Sequence, residues 1–122
     1  LDFGTIVAGP TAGTVTIAPA TGARTVTGGT VAAGGAPGSA TFLATGGVNR
    51  LYLITLPGAP TTLANGTGGT MTGNNFTHDA GLLPRIGNGG ITTVRVGARL
   101  NVNANQADGN YSGTFTVTII YL

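Results

Sequence analysis

One acid–base neighbour pair stands out among the 122 residues, His78-Asp79. An imidazole held by a carboxylate can serve as general base for a hydroxyl nucleophile, and the serines available are Ser39 and Ser112. Such a relay needs all three groups within hydrogen-bond reach, and nothing in the spacing of these positions brings them together. The pair reads as a loop histidine beside a turn aspartate. Metal chemistry has fewer ligands still. One His, three separated Asp, no Glu and no Cys do not complete a zinc site, and there is no calcium-loop pattern. The glycine pairs Gly34-Gly35, Gly46-Gly47 and Gly89-Gly90 lack the lysine and the strand-to-helix setting of a phosphate loop and read as turns. The sequence therefore assigns no catalytic residue, no metal ligand and no cofactor, and it is read as a non-enzyme.

Charge points the same way. Only 7% of residues are charged, against roughly 25% in an ordinary domain. The net +2 comes from five Arg set against three Asp; it is too sparse for a nucleic-acid footprint. Thr and Ser supply about a fifth of the chain and Gly 23 residues, so the polar surface is built of hydroxyls and amides. Such a surface repels its own copies weakly, which suits dense self-association. Arg95 and Arg99 share one strand face, roughly 13 Å apart at about 3.3 Å per residue. They read as a solvated face, or as a contact with Asp2, Asp79 or Asp108 of a neighbouring subunit. The sequons at Asn65, Asn75 and Asn110 are about as many as this composition yields by chance.

The elements that position these residues are strands. No window carries a convincing 3.6-residue period, and Gly and β-branched residues are too frequent for helices. The pattern predicts strands over Leu1–Val7, Gly13–Ile17 with Val15 and Ile17 inward, and Arg24–Val31 broken at Gly28-Gly29. Further strands are expected over Ala40–Thr45, Arg50–Leu56 and Met71–Phe76. Arg50–Leu56 is apolar on both faces and expected to be central. His78–Gly90 reads as a surface loop. In Ile91–Asn103, Val94, Val96, Ala98, Leu100 and Val102 face one way. Seven or eight short strands with turn signals between them predict one domain over residues 1–122, an antiparallel Greek-key β-sandwich of immunoglobulin-like type. No run of about 18 apolar residues predicts a membrane-crossing helix.

The last strand carries the strongest pattern. Tyr111, Phe115, Val117, Ile119 and Tyr121 fall on one face, and Ser112, Thr114, Thr116 and Thr118 on the other. Asp108-Gly109-Asn110-Tyr111 has the form of a tyrosine corner, which opens the sixth strand of an immunoglobulin-type sandwich. A complete sandwich adds one more strand, and no residues remain after Leu122 to form it. The expectation is an open groove beside this strand that takes a strand from elsewhere.

Leu1-Asp2-Phe3-Gly4-Thr5 at one end and Gly109-Asn110-Tyr111-Ser112-Gly113-Thr114-Phe115-Thr116-Val117-Thr118-Ile119-Ile120-Tyr121 at the other resemble the two ends of chaperone–usher pilins. They are similar also to the related spore-coat-U-like and Gly/Thr-rich secreted bacterial domains, with Tyr121 at the place of the penultimate tyrosine. The resemblance implies an incomplete sandwich that lacks its last strand. A periplasmic chaperone lends a strand, and an outer-membrane usher exchanges it for the N-terminal extension of the next subunit, expected ahead of Leu1. It implies that Tyr111, Phe115, Val117, Ile119 and Tyr121, with Leu1 and Phe3, form the groove and subunit interface.

The expected function is thus a structural subunit, a major pilin, of an extracellular cell-surface filament. Its partners would be identical subunits, a chaperone and an usher, with no nucleic acid and no direct membrane insertion. The alternative is a self-complemented monomeric sandwich that binds a protein or glycan partner. A small outer-membrane β-barrel is a third reading, disfavoured because seven aromatic residues are few for two girdles.

Overall fold

The computed structural model describes residues 1–122. It is all-β, every strand pairing is antiparallel, and there is no helix. The strands are β1 (Ile6–Val7), β2 (Gly13–Ile17), β3 (Arg24–Gly28), β4 (Val31–Ala32), β5 (Ala40–Thr45), β6 (Tyr52–Thr55), β7 (Thr61–Ala64), β8 (Thr70–His78), β9 (Ile91–Val102) and β10 (Thr118–Tyr121).

One layer is a six-stranded sheet in the order β3-β2-β9-β8-β7, with β5 also on β9. The 12-residue β9 is its spine. Its Val94, Val96, Ala98, Leu100 and Val102 are all buried, because alternate side chains of a strand share one face and here all are apolar. β2 and β5 divide one edge of β9: Thr16 pairs with Arg99, and Ala40 with Val96. Gly97 stands at the handover. A Cβ there would run into the carbonyl of Ile17, so only glycine admits the close approach.

The opposing layer is in two pieces. A β6–β10 ribbon covers the first half of β9, forming a core with Ala40, Ala44, Tyr52, Ile86, Val94 and Val96. An N-terminal ribbon, in which β1 pairs β4 and Asp2 bridges Gly38, covers the second half. There Phe3 and Ile6 pack on Val15, Met71, Leu100 and Val102. The core is accordingly split into two clusters, and only 16 of the 122 residues are buried.

Several sequence expectations change in the structure. Residues 111–121 do not form one strand: Ser112 bridges Ala64, pairing resumes only at Thr118, and residues 113–117 form no ladder. The alternation itself survives, with Phe115, Val117 and Ile119 half-buried and the intervening threonines exposed. Leu1–Val7 is strand only at its end, because Gly4 takes a φ of 74° and bulges the chain. Arg50–Leu56 is not a central strand. Its β6 portion forms a two-stranded sheet with β10, and Leu53 faces outward, 38% exposed. β7, short and closed in by Pro60 and Asn65, was not expected. Arg95 meets Asp79 of its own chain, Nε to Oδ2 at 3.0 Å.

Candidate functional site: an apolar groove between the two ribbons

A groove of about 540 Å³ runs through the gap in the second layer. One bank is the N-terminal segment, Leu1 to Ile6; the other is Gly109 to Phe115. The floor is the inner face of the large sheet: Leu63 of β7, Met71, Gly73 and Phe76 of β8, Ala98 and Leu100 of β9. Gly73 and Ala98 are the smallest residues on that face, and they sit where the two core clusters fail to meet. A Cβ on Gly73 would find only ordinary contact, the nearest atom being Leu63 Cδ1 at 3.5 Å. The space above the floor is therefore room for side chains that the groove's own residues do not supply.

The N-terminal bank is held from its outer side. Thr5 N–H donates to the Gly34 carbonyl at 3.0 Å, and Ala33 N–H to the Thr5 carbonyl at 2.9 Å. Arg24 reaches across from β3 and donates through Nη1 to the carbonyls of Phe3 (3.1 Å), Thr5 (3.2 Å) and Gly34 (2.9 Å). Gly4 makes this clamp attainable: a Cβ there would collide with the guanidinium and lie 2.9 Å from the Gly34 carbonyl. The Phe-Gly-Thr start of the chain thus has a physical reason. Phe3 N–H, by contrast, has no hydrogen-bond partner.

The other bank begins at a fixed corner. Tyr111 Oη donates to the Ala107 carbonyl at 2.6 Å and receives Gln106 Nε2 at 2.9 Å and Asn65 Nδ2 at 3.4 Å. Asn65 is itself held, its Oδ1 accepting the N–H groups of Thr67 and Gly69, each at 2.9 Å. Beyond the corner, the N–H and C=O groups of residues 113–117 make no backbone hydrogen bond. The whole chain forms 50 backbone–backbone bonds. The usual census for this length is roughly 80 to 90. The five unpaired residues account for only part of this shortfall; the rest is spread over the loops.

Of the residues expected at the groove, Leu1, Phe3, Tyr111 and Phe115 line it. Val117 and Ile119 instead pack on the β6–β9 cluster. Tyr121 packs on Tyr52, its hydroxyl donating to the Thr45 carbonyl, with the Arg50 guanidinium 5.7 Å from its ring centre. Ala98 and Leu100 of the floor belong to the inward set expected of β9, whereas Leu63 and Gly73 were not singled out. The signal at Gly73 was glycine in the interior of a strand, and it stands just before the register shift of β8 between Asn74 and Thr77.

The acid–base pair is spent on local structure. Asp79 accepts Arg95 N–H at 2.8 Å and Arg95 Nε at 3.0 Å, while His78 Nδ1 accepts the Ala80 N–H at 3.2 Å. Ser112 lies on β7, bridged to Ala64. No three His, Cys, Asp or Glu side chains cluster.

Over residues 1–121 the sequence matches the family described as a domain of unknown function, DUF4402. No curated protein and no solved structure matches it.

Proposed function

This chain belongs to the DUF4402 family, and we propose for it the role of a structural subunit, a pilin, in an extracellular filament joined by donor-strand complementation. The observation that carries the reading is the groove. It pairs an apolar floor and two banks with a run of backbone, residues 113–117, that has no hydrogen-bond partner. A row of unpaired N–H and C=O groups is a template for another strand. An extended segment laid between the banks satisfies it and places alternate side chains over Gly73 and Ala98. Insertion closes the gap between the two core clusters, and apolar burial of this kind is not screened by salt. In this reading the immunoglobulin-like sandwich lacks its last strand, and a neighbouring copy provides it. A periplasmic chaperone and an outer-membrane usher guide assembly, and the product is a cell-surface homopolymer. The low charge and hydroxyl-rich surface support close packing of identical copies.

The test is to fill the groove from its floor. Gly73→Val adds a β-branched side chain where a Cβ has room and where φ is unstrained. The variant is expected to fold and to be lost from filaments. Normal polymerisation of a folded Gly73→Val chain would refute the role.

A further inference from the structure

The loop between β8 and β9 presents two leucines to solvent, Leu82 at 95% and Leu83 at 70% exposure. The tip is not loose. Asp79 N–H donates to the Arg95 carbonyl at 3.1 Å, Tyr52 N–H to the Pro84 carbonyl at 3.1 Å, and Ile86 N–H to the Arg50 carbonyl at 2.9 Å. Both feet are pinned, so the leucines stand on a fixed base. Val48 and Ile91 are also exposed, and they lie on segments tied to this loop by Asn49 N–H to the Ile86 carbonyl and Gly46 N–H to the Gly90 carbonyl. Arg50, its guanidinium over the Tyr121 ring, and Arg85, whose Nη1 donates to the Asn49 carbonyl at 3.0 Å and has no carboxylate partner, flank the patch, while Asp79 is taken by Arg95. This end of the molecule is apolar and cationic.

The opposite end is apolar and carries a single carboxylate. It lies beyond the far end of β9, whose 12 residues span about 40 Å. There Val7 and Val31 pair across β1 and β4, both more than half exposed. The adjoining loop, held to them by Asn105 N–H donating to the Gly9 carbonyl at 2.8 Å, leads to Asp108. The carboxylate of Asp108 has no ion pair.

We propose that these two ends dock on one another between copies: Leu82 and Leu83 of one copy against Val7 and Val31 of the next, with Arg85 facing Asp108. The charges select the occupant, since the cationic apolar end meets an apolar end with a single carboxylate on the same chain. The two patches differ, so the contact is heterologous and repeats without closing, as in a filament. It is a surface separate from the groove. Being far smaller than the roughly 1,000 Å² of a stable interface, it acts where copies are already held close, and there effective concentration makes a weak contact count. To that extent it rests on the filament reading.

The experiment uses the full chain carrying Gly73→Val, in which the groove is filled, so that association through the groove is removed. Sedimentation at rising concentration should show weak association at roughly millimolar levels, as suits so small a patch. Leu82→Ser with Leu83→Ser should abolish it. Arg85→Asp should weaken it a few-fold, the scale of an exposed ion pair, and adding Asp108→Arg in the same chain should restore it. A chain that stays monomeric throughout, or a charge reversal that the reciprocal change does not rescue, overturns the proposal. So does Arg85-dependent binding to vesicles of anionic lipid in place of self-association. Polymers of the Gly73→Val chain that survive denaturant would instead count against the groove reading, a separate result.

Discussion

The ring of Phe115 lies 4.9 Å, centre to centre, from that of Phe76 on β8, and 6.2 Å edge-on from Phe42 on β5. This aromatic cluster pins the middle of a segment whose backbone has no hydrogen bonds of its own. It explains how residues 113–117 are held in place without a ladder of their own. Side chains anchor what the ladder does not. Phe115→Ala is expected to destabilise the fold by about 3 kcal/mol, the lower part of the range for a buried aromatic because Phe115 is half-buried. Faster hydrogen exchange in the adjoining β6–β10 pairing, with the β2–β3 pairing unaffected, would mark the effect as local.

Gly4 and Arg24 form the other anchor. Arg24→Ala removes three bonds to backbone carbonyls, and about 1–2 kcal/mol of stability should go with them. Gly4→Ala forces a side chain into a positive φ and against the guanidinium, a change of similar size. Both variants should raise exchange at Thr5 and Ala33 and weaken acceptance of a donor peptide in proportion. Unchanged exchange in Arg24→Ala would show that the bank stands without its clamp.

Tyr52 is fully buried and its hydroxyl has no partner. Burial, then the Asp79 carboxylate, then Tyr121 raise its pKa above the ordinary 10.0. Because the folded-state value lies above the unfolded one, folding favours the neutral phenol. The contribution is complete below about pH 10 and is lost as pH rises through the raised value. Stability should therefore fall in alkali, and Tyr52→Phe should abolish that part of the fall. At neutral pH the same variant should gain about 1 kcal/mol by deleting an unsatisfied buried donor. Denaturant titrations from pH 7 to 11 give both numbers.

Arg95→Ala should lose less than about 1 kcal/mol, since its ion pair with Asp79 has the Arg side chain 47% exposed. Filaments should form as before. Loss of filaments with an intact fold would make this face an interface.

Much of the fold was legible because period-two alternation is a local signal. β2 and β5 begin and end where their apolar spacing says, and the inward set of β9 is the one its sequence predicts. The misses were non-local. Nothing in Arg50–Leu56 reveals that it pairs in a two-stranded sheet, since pairing depends on what lies alongside. The partition of residues 111–121 depends likewise on what lies alongside, Ala64 for Ser112 and β6 for Thr118–Tyr121, which no residue within it encodes. Of the alternating set in the last segment, Tyr111 and Phe115 line the groove, while Val117, Ile119 and Tyr121 pack elsewhere. Of the groove's floor, Ala98 and Leu100 were legible as inward residues of β9, while Gly73 has no side chain to enter an apolar pattern.

The central claim is that the lane between Leu1–Ile6 and Gly109–Phe115 receives a strand from another copy. A high-resolution image of the native assembly, traced to show which chain lies in that lane, tests it most directly. The account predicts a strand from the neighbouring subunit, paired with residues 113–117 and with apolar side chains above Gly73 and Ala98. A strand from the same chain, or an assembly in which the lane stays empty, would contradict it.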